Sequence, residues 1–268
     1  MKLAVRQEQN RIKHQLEMEY INFKNYNGIC WMCDENIANS KEHKYKSSDL
    51  KFFKKNIDDS IIVKEGNYKY IAGVDSNLLK YEFVLCEKCN NIKSKKIDND
   101  YDIFSNKYIK HLNLKVETIS FENQKLNIYR FLAKNFCCRL ASNKIEISKD
   151  LIDFVNLKIT IPSRLIIQIY SNKDKIEKIS KHIGSDYADF GQGKLQFYGN
   201  TKNEIELYYS TLIFNNLIFE FYYLNQDFKL ENIYSLDCVE VKQFNTNTDF
   251  SGKINDIMNT FGIKSPNH

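Results

Sequence analysis

The spacing of apolar side chains along this chain changes character about halfway. In residues 1–20, Val5, Ile12, Leu16 and Tyr20 fall on or near one helical face with Lys, Arg and Glu mixed on the other, the pattern of an amphipathic helix that packs on the rest of the protein or on a second copy. Short extended segments are expected around residues 35–44 and 81–85. Between them lies a polar insertion, about residues 48–78, whose "SDLKFFKKN" has room for a helical turn or more. From Cys86, "CEKCNNIKSKK" should open a helix, and "DYDIFSNKYIKHL" predicts another. After a connector at 113–120, Leu126, Tyr129, Leu132, Phe136 and Leu140 recur at helical spacing as a core-facing stripe. "SKDLIDFV" follows as a helix capped by Ser148.

Beyond it the period shifts towards strands. "ITIPSRLIIQIYS", "GKLQFYG", "EIELYYSTLIF" and "NLIFEFYYL" are rich in β-branched and aromatic residues. The last two flank Asn215-Asn216, a hairpin signal. "NKDKIEKISKHIG" predicts a helix that stops at Gly184. The C-terminal part is therefore expected to be α+β with an antiparallel sheet, its Phe and Tyr alternation forming sheet core rather than a surface for stacking bases.

A chain of 268 residues has room for one or two domains. The division expected is a helix at 1–20, a first domain at 21–112 and an α+β accessory domain at 113–268. No run of 18 apolar residues occurs, and the N-terminus is charged throughout without the apolar core of a signal peptide, so a cytoplasmic protein with no membrane segment is expected. Charge refines that picture. Residues 1–115 hold 21 Lys and Arg against 16 Asp and Glu, whereas residues 116–268 hold 18 of each. The excess sits entirely in the first part, which suits a polyanion.

The chain has seven cysteines, and in a cytoplasmic protein these are not expected to form disulfides. Four fall into two Cys-x-x-Cys pairs, Cys30/Cys33 and Cys86/Cys89. Four thiolates complete a closed tetrahedral zinc site, and Gly28 suits the tight turn that precedes the first pair. Such an ion has no open position for chemistry. It would serve as a clamp, bringing His43 and Asn90 together across 46 intervening residues. Cys137 and Cys138 lie in an apolar helical stretch and are expected to be packing residues, and Cys238 has no paired partner. His14 and His111 stand in no motif and are assigned structural or surface roles.

In the order "CWMC", "EH" and "CEKCNNIKS", residues 30–94 resemble the zinc-supported His-metal-finger class of HNH endonucleases. The phrasing "EHKYKSSDL" and "LCEKCNN" is also similar to HNH proteins of bacterial anti-phage defence. The resemblance implies a zinc-bound ββα-metal, treble-clef-like domain that hydrolyses phosphodiester bonds in DNA. His43 would be the general base that takes a proton from the attacking water. Glu42 and Asn90 would bind Mg²⁺ or Mn²⁺. Lys44, Lys46, Lys93, Lys95 and Lys96 would contact phosphates, supplying affinity without sequence information. Two features depart from the family pattern. "KYEFVLC" lacks the usual middle Asn, for which Asn77 is the nearest substitute, and Glu42 stands where Asp is commoner. Two other functions share the zinc frame: a nucleic-acid-binding module that does not cut, and a structural protein that docks a partner. A partner subunit or second copy would engage residues 113–268 or the N-terminal helix.

Overall fold

Strand β1 (Ser40–His43) pairs antiparallel with β4 (Lys80–Leu85), and a helical run follows β4 directly. The computed structural model that shows this describes residues 24–55, 61–64, 67–110, 118–120, 124–184, 186–193, 195–199, 205–224, 238–240 and 242–243. The helix expected at 1–20 and most of the connector at 113–120 lie outside these residues. Between β1 and β4 the chain forms helix α1 (Ser47–Phe52), the hairpin β2 (Ile61–Lys64) and β3 (Asn67–Tyr70), and a 3₁₀ turn at Asn77–Leu79. The polar insertion is thus more structured than its pattern predicts.

The two helices expected after Cys86 form one run. A wide turn over Lys88–Lys93 leads into helix α2 (Lys95–Phe104), and a second wide turn, Ser105–Ile109, ends it. Such turns bond residue i to i+5, and the first shows it: Ser94 N donates to Cys89 O at 3.2 Å and Ser94 Oγ to the same carbonyl at 2.9 Å. Wide turns inside helices recur at functional sites, and this one carries Cys89 and Asn90.

Strand β5 (Thr118–Ser120) precedes helix α3 (Lys125–Ser142), which is buried on more faces than its stripe implied. Tyr129, Leu132, Phe136 and Leu140 are buried as expected, but so are Ile128, Phe131, Ala133, Cys137 and Cys138, while Leu126 is exposed. A helix apolar on most sides belongs inside a fold. α3 packs on both β4 and α2, with Phe131 stacked 3.7 Å from Tyr101 between ring centroids. Helix α4 (Lys149–Val155) follows. Ser148 occupies its N-cap position, but no side-chain cap bond forms; its hydroxyl instead lies 2.5 Å from Tyr223 Oη.

The second half contains β6 (Leu165–Ser171), α5 (Lys173–Ile183), β7 (Phe190–Gln192), β8 (Gln196–Gly199), β9 (Ile205–Phe214) and β10 (Leu217–Leu224), with two short strands, β11 (Cys238–Glu240) and β12 (Lys242–Gln243). A six-stranded sheet runs β12-β6-β10-β9-β7, with β8 also on β9; every pairing is antiparallel except that of β12 with β6. Strands β9 and β10 turn at Asn215-Asn216, as expected, with Asn215 at φ 51. Helix α5 ends at Gly184 in the left-handed conformation. The whole is a mixed α+β fold with an antiparallel sheet.

The expected boundary between residues 112 and 113 does not separate two hydrophobic cores. One cluster of buried side chains runs from Cys30 through α3 to Tyr223. The β9–β10 turn also grips the end of the helical run: Asn215 Nδ2 donates to Ile109 O at 3.1 Å and Asn216 Nδ2 to Tyr108 O at 2.5 Å.

Candidate metal centre and the polar site beside it

Cys30 and Cys33 sit in a turn whose backbone needs left-handed geometry at both ends, Gly28 at φ 76 and Asp34 at φ 55. The turn closes through Cys30 N to Asn36 O at 2.8 Å and Asp34 N to Cys30 O at 2.9 Å. Cys86 directly follows β4, and Cys89 lies in the wide turn beyond it. The four sulfurs lie within 4.8 Å of one another. A tetrahedron with metal–sulfur bonds of about 2.3 Å has sulfurs roughly 3.8 Å apart, and Cys33 Sγ stands 3.9 Å from Cys86 Sγ.

Donors already point at these sulfurs. Cys89 N donates to Cys86 Sγ at 3.4 Å and Asn36 Nδ2 to Cys33 Sγ at 3.3 Å. Burial works against the Cys33 thiolate, but the backbone N–H groups of Asn36 and Glu35 and the Asn36 amide prevail and bring its pKa down to about 6. Burial pushes the Cys30 thiol up to about 11, and Cys89 is raised too. Converging, desolvated sulfurs suit a soft dication, so the cluster could hold a zinc ion.

Glu42 and His43 end β1, and helix α3 holds the strand in place. Asn135 Nδ2 donates to Lys44 O at 2.7 Å, while its Oδ1 accepts from Tyr81 Oη at 2.9 Å. His43 lies opposite Lys80 in the β1–β4 register. Its Nε2 is buried with no hydrogen-bond partner. Burial, with the Lys80 ammonium adding to it, lowers the His43 pKa below its usual value, so the ring is neutral at neutral pH.

Glu42 is committed elsewhere. Its Oε1 lies 3.1 Å from Nζ of Lys134, an α3 residue only 1% exposed, and the same ammonium lies 3.5 Å from Asp98 Oδ1 on α2. Burial works against the Lys134 charge, but Glu42 and Asp98 prevail and hold its pKa above the ordinary lysine value. Burial likewise raises the Asp98 carboxyl against the pull of Lys134 and Lys46. Asn90 is buried, donates Nδ2 to Ser40 Oγ at 3.0 Å, and leaves Oδ1 without a protein partner among the described residues. The Ser40–Asn90 hydrogen bond therefore joins the start of β1 to the turn bearing Asn90. The oxygen set expected for Mg²⁺ or Mn²⁺ does not fit as it stands, because an ammonium, not open space, faces the Glu42 carboxylate.

The five lysines divide into two groups. Lys46 pairs with Asp102 at 3.5 Å and Asp98 at 3.8 Å and lies 5.7 Å from the Phe131 ring, and Lys44 Nζ donates to Leu78 O at 2.8 Å. Both are bonded within the fold, although Lys44 also borders a neighbouring cleft. Lys93, Lys95 and Lys96 are exposed along the helical run. Asn77 accepts from Lys41 Nζ at 3.0 Å. Cys137 and Cys138 are fully buried, as packing residues should be. His14 and His111 lie outside the described residues.

Lys134 is the residue that sequence reasoning passed over. Its signal was present: "FLAKNFCC" sets one lysine among large apolar side chains in the middle of a helix. A charge at a core position calls for buried partners. The chain matches no protein-family model, no curated protein and no solved structure. Among the described residues no helix is long and apolar enough to cross a membrane.

Proposed function

We propose that this protein is an HNH-type endonuclease whose four-cysteine cluster clamps a strand carrying His43 against a helical turn carrying Asn90. The observation that carries this reading is the neutral, desolvated imidazole of His43, whose Nε2 has no protein partner, on the strand that the cysteine frame anchors. A neutral imidazole nitrogen with no protein partner is suited to take one proton from a water molecule attacking phosphorus, a role worth about 10²–10⁴-fold in rate. Substrate binding must first bring that water to the nitrogen, which is closed to solvent here. Lys80, close enough to depress that pKa, supplies positive charge where a phosphate would approach. The strand–strand–helix order β1, β4, α2 agrees with the resemblance in the sequence. No step is assigned to a divalent ion here, given the Glu42–Lys134 pair. DNA is the substrate that the charge excess in residues 1–115 favours, and defence against foreign DNA is the setting that the resemblance suggests.

A second reading has an observation of its own. Glu42 held by Lys134, with Lys44 and Lys46 turned to internal partners, suits a zinc module that binds nucleic acid without cutting it. Incubating supercoiled plasmid with the protein, alone and with Mg²⁺ or Mn²⁺, separates the two. The nuclease reading expects nicking that His43→Ala reduces at least 100-fold. DNA retention with no nicking by the wild type under any metal condition leaves the binding module.

A further inference from the structure

A cleft of about 640 Å³ opens beside β1, between β4 and the C-terminal turn of α3. Its size falls within the range of small-ligand sites. Its lining is one-sided in charge: Lys41, Lys44, Lys80, Arg139 and Lys144 face it against a single carboxylate, Glu82. Among the described residues the ion-pair partner of Lys80 is the distant, exposed Asp75 at 3.9 Å. The Lys41 ammonium is met by a neutral amide at Asn77 and by the Phe83 ring, 5.0 Å away.

Arg139 is the most telling of the five. Its guanidinium donates to Ser210 Oγ at 2.5 Å and to the Gly193 carbonyl, both neutral, and no carboxylate lies within ion-pair distance of it among the described residues. The two bonds fix the guanidinium without cancelling its charge. Taking a cation partly out of water with no counter-charge is costly, and a cleft lined by such cations gains most from an anion. Phe83, more than half exposed, adds an aromatic surface on the same wall.

We propose that this cleft binds the phosphate of a nucleotide, with Arg139, Lys41 and Lys144 on the phosphate and Phe83 against the base. The site does not depend on cutting. The same chemistry is available from a free nucleotide or from one residue of a single strand, and affinity distinguishes these sources.

The test uses full-length His43→Ala protein, which removes cleavage, at low salt without added divalent cations. Calorimetric titrations with AMP, a five-residue oligothymidylate and inorganic phosphate are compared. One saturable site for AMP or the oligomer is expected, with affinity reduced at least tenfold by Lys144→Glu and again by Lys41→Glu. Arg139→Gln should do the same, while the two lysine variants carry the test if that buried change disturbs folding. An oligomer that binds tenfold more tightly than AMP assigns the site to a strand, and equal or weaker binding assigns it to a free nucleotide. Either result supports the proposal. Absence of saturable binding overturns it, as does affinity unchanged in both lysine variants or inorganic phosphate binding as tightly as AMP. Nucleotide binding in a chain that never nicks plasmid would remove the cutting reading alone. Nicking by a wild-type chain whose cleft fails this test would remove the cleft alone.

Discussion

The region around the four cysteines and the sheet of the second half are held together by different means. Strand β1 has four residues, and its register with β4 shifts twice. Strands β9 and β10 have ten and eight residues and pair without a shift, and every residue of β10 is buried. Two short, irregular strands provide little cross-strand packing, so in addition to its share of the apolar core that region draws on the convergent sulfurs and on the pairing of Lys134 with Glu42 and Asp98. The sheet depends mainly on apolar area, as where Phe136 stacks on Phe221 at 5.6 Å, with buried Glu220 accepting from Tyr209 and Tyr222. A region braced by convergent sulfurs and buried ion pairs can place polar groups such as His43 and Asn90 where a purely apolar core cannot.

Four experiments test this contrast, taken from the largest expected effect to the smallest. Chelation, or Cys86→Ser, should remove a stabilisation on the order of 10 kcal/mol from the cysteine region. Trp31, the only tryptophan in the chain and 1% exposed, is its natural probe. Its emission should shift to the red before the circular dichroism of the sheet is lost. Coincident loss of both signals would show that the shared core overrides the difference in construction.

Lys134→Met should cost about 3–5 kcal/mol, because it strands Glu42 and Asp98 without their buried cation. Denaturant titration reads the loss, and adding Glu42→Gln should restore part of it. If the single variant proves neutral, the ion pair is not what braces β1. On the sheet side, Leu217→Ala opens a cavity at a fully buried position and should cost about 2–5 kcal/mol, with native Trp31 emission unchanged.

The smallest effect is a pH dependence on the sheet side. Burial raises the Asp150 carboxyl, but hydrogen bonds from Ser148 and Tyr223 and the Arg164 guanidinium outweigh it and hold the pKa below the usual value. Tyr223 Oη donates to it at 2.8 Å and Arg164 Nη2 lies at 2.9 Å. A depressed folded pKa means that this stability is complete above about pH 4 and disappears as pH falls through the folded value. Asp150→Asn should therefore cost on the order of 1 kcal/mol at pH 7 and nothing in strong acid. Comparing wild type and variant at each pH cancels any acid release of metal from the thiolates. A difference that persists below pH 3 would mean that Asp150 matters through its shape and not its charge.

How much could be read in advance follows the same contrast. Long elements announced themselves: α3, α5 with its stop at Gly184, and the β9–β10 hairpin at Asn215-Asn216 were all legible, because period and turn chemistry are local properties. Short elements were not. The hairpin β2–β3 lies in a polar insertion, and the single helical run from Lys88 to Ile109 passes through wide turns that no periodicity marks. Leu126 belonged to the stripe by spacing, yet it lies near the start of its helix and stays exposed.

For the site, the residue types and their spacing along the chain were sufficient to gather four cysteines around one point, since two-residue gaps and a glycine turn constrain the backbone locally. Spacing could not decide what faces Glu42. That carboxylate meets Lys134 from a helix more than 90 positions away, and Lys46 meets Asp98 and Asp102 across the same seam. The cleft likewise draws Lys41, Lys80 and Arg139 from separate elements. Ligand spacing, helix period and turn residues are written in neighbouring positions. Charge pairing across a core depends on which surfaces meet, and only the folded chain brings those surfaces together.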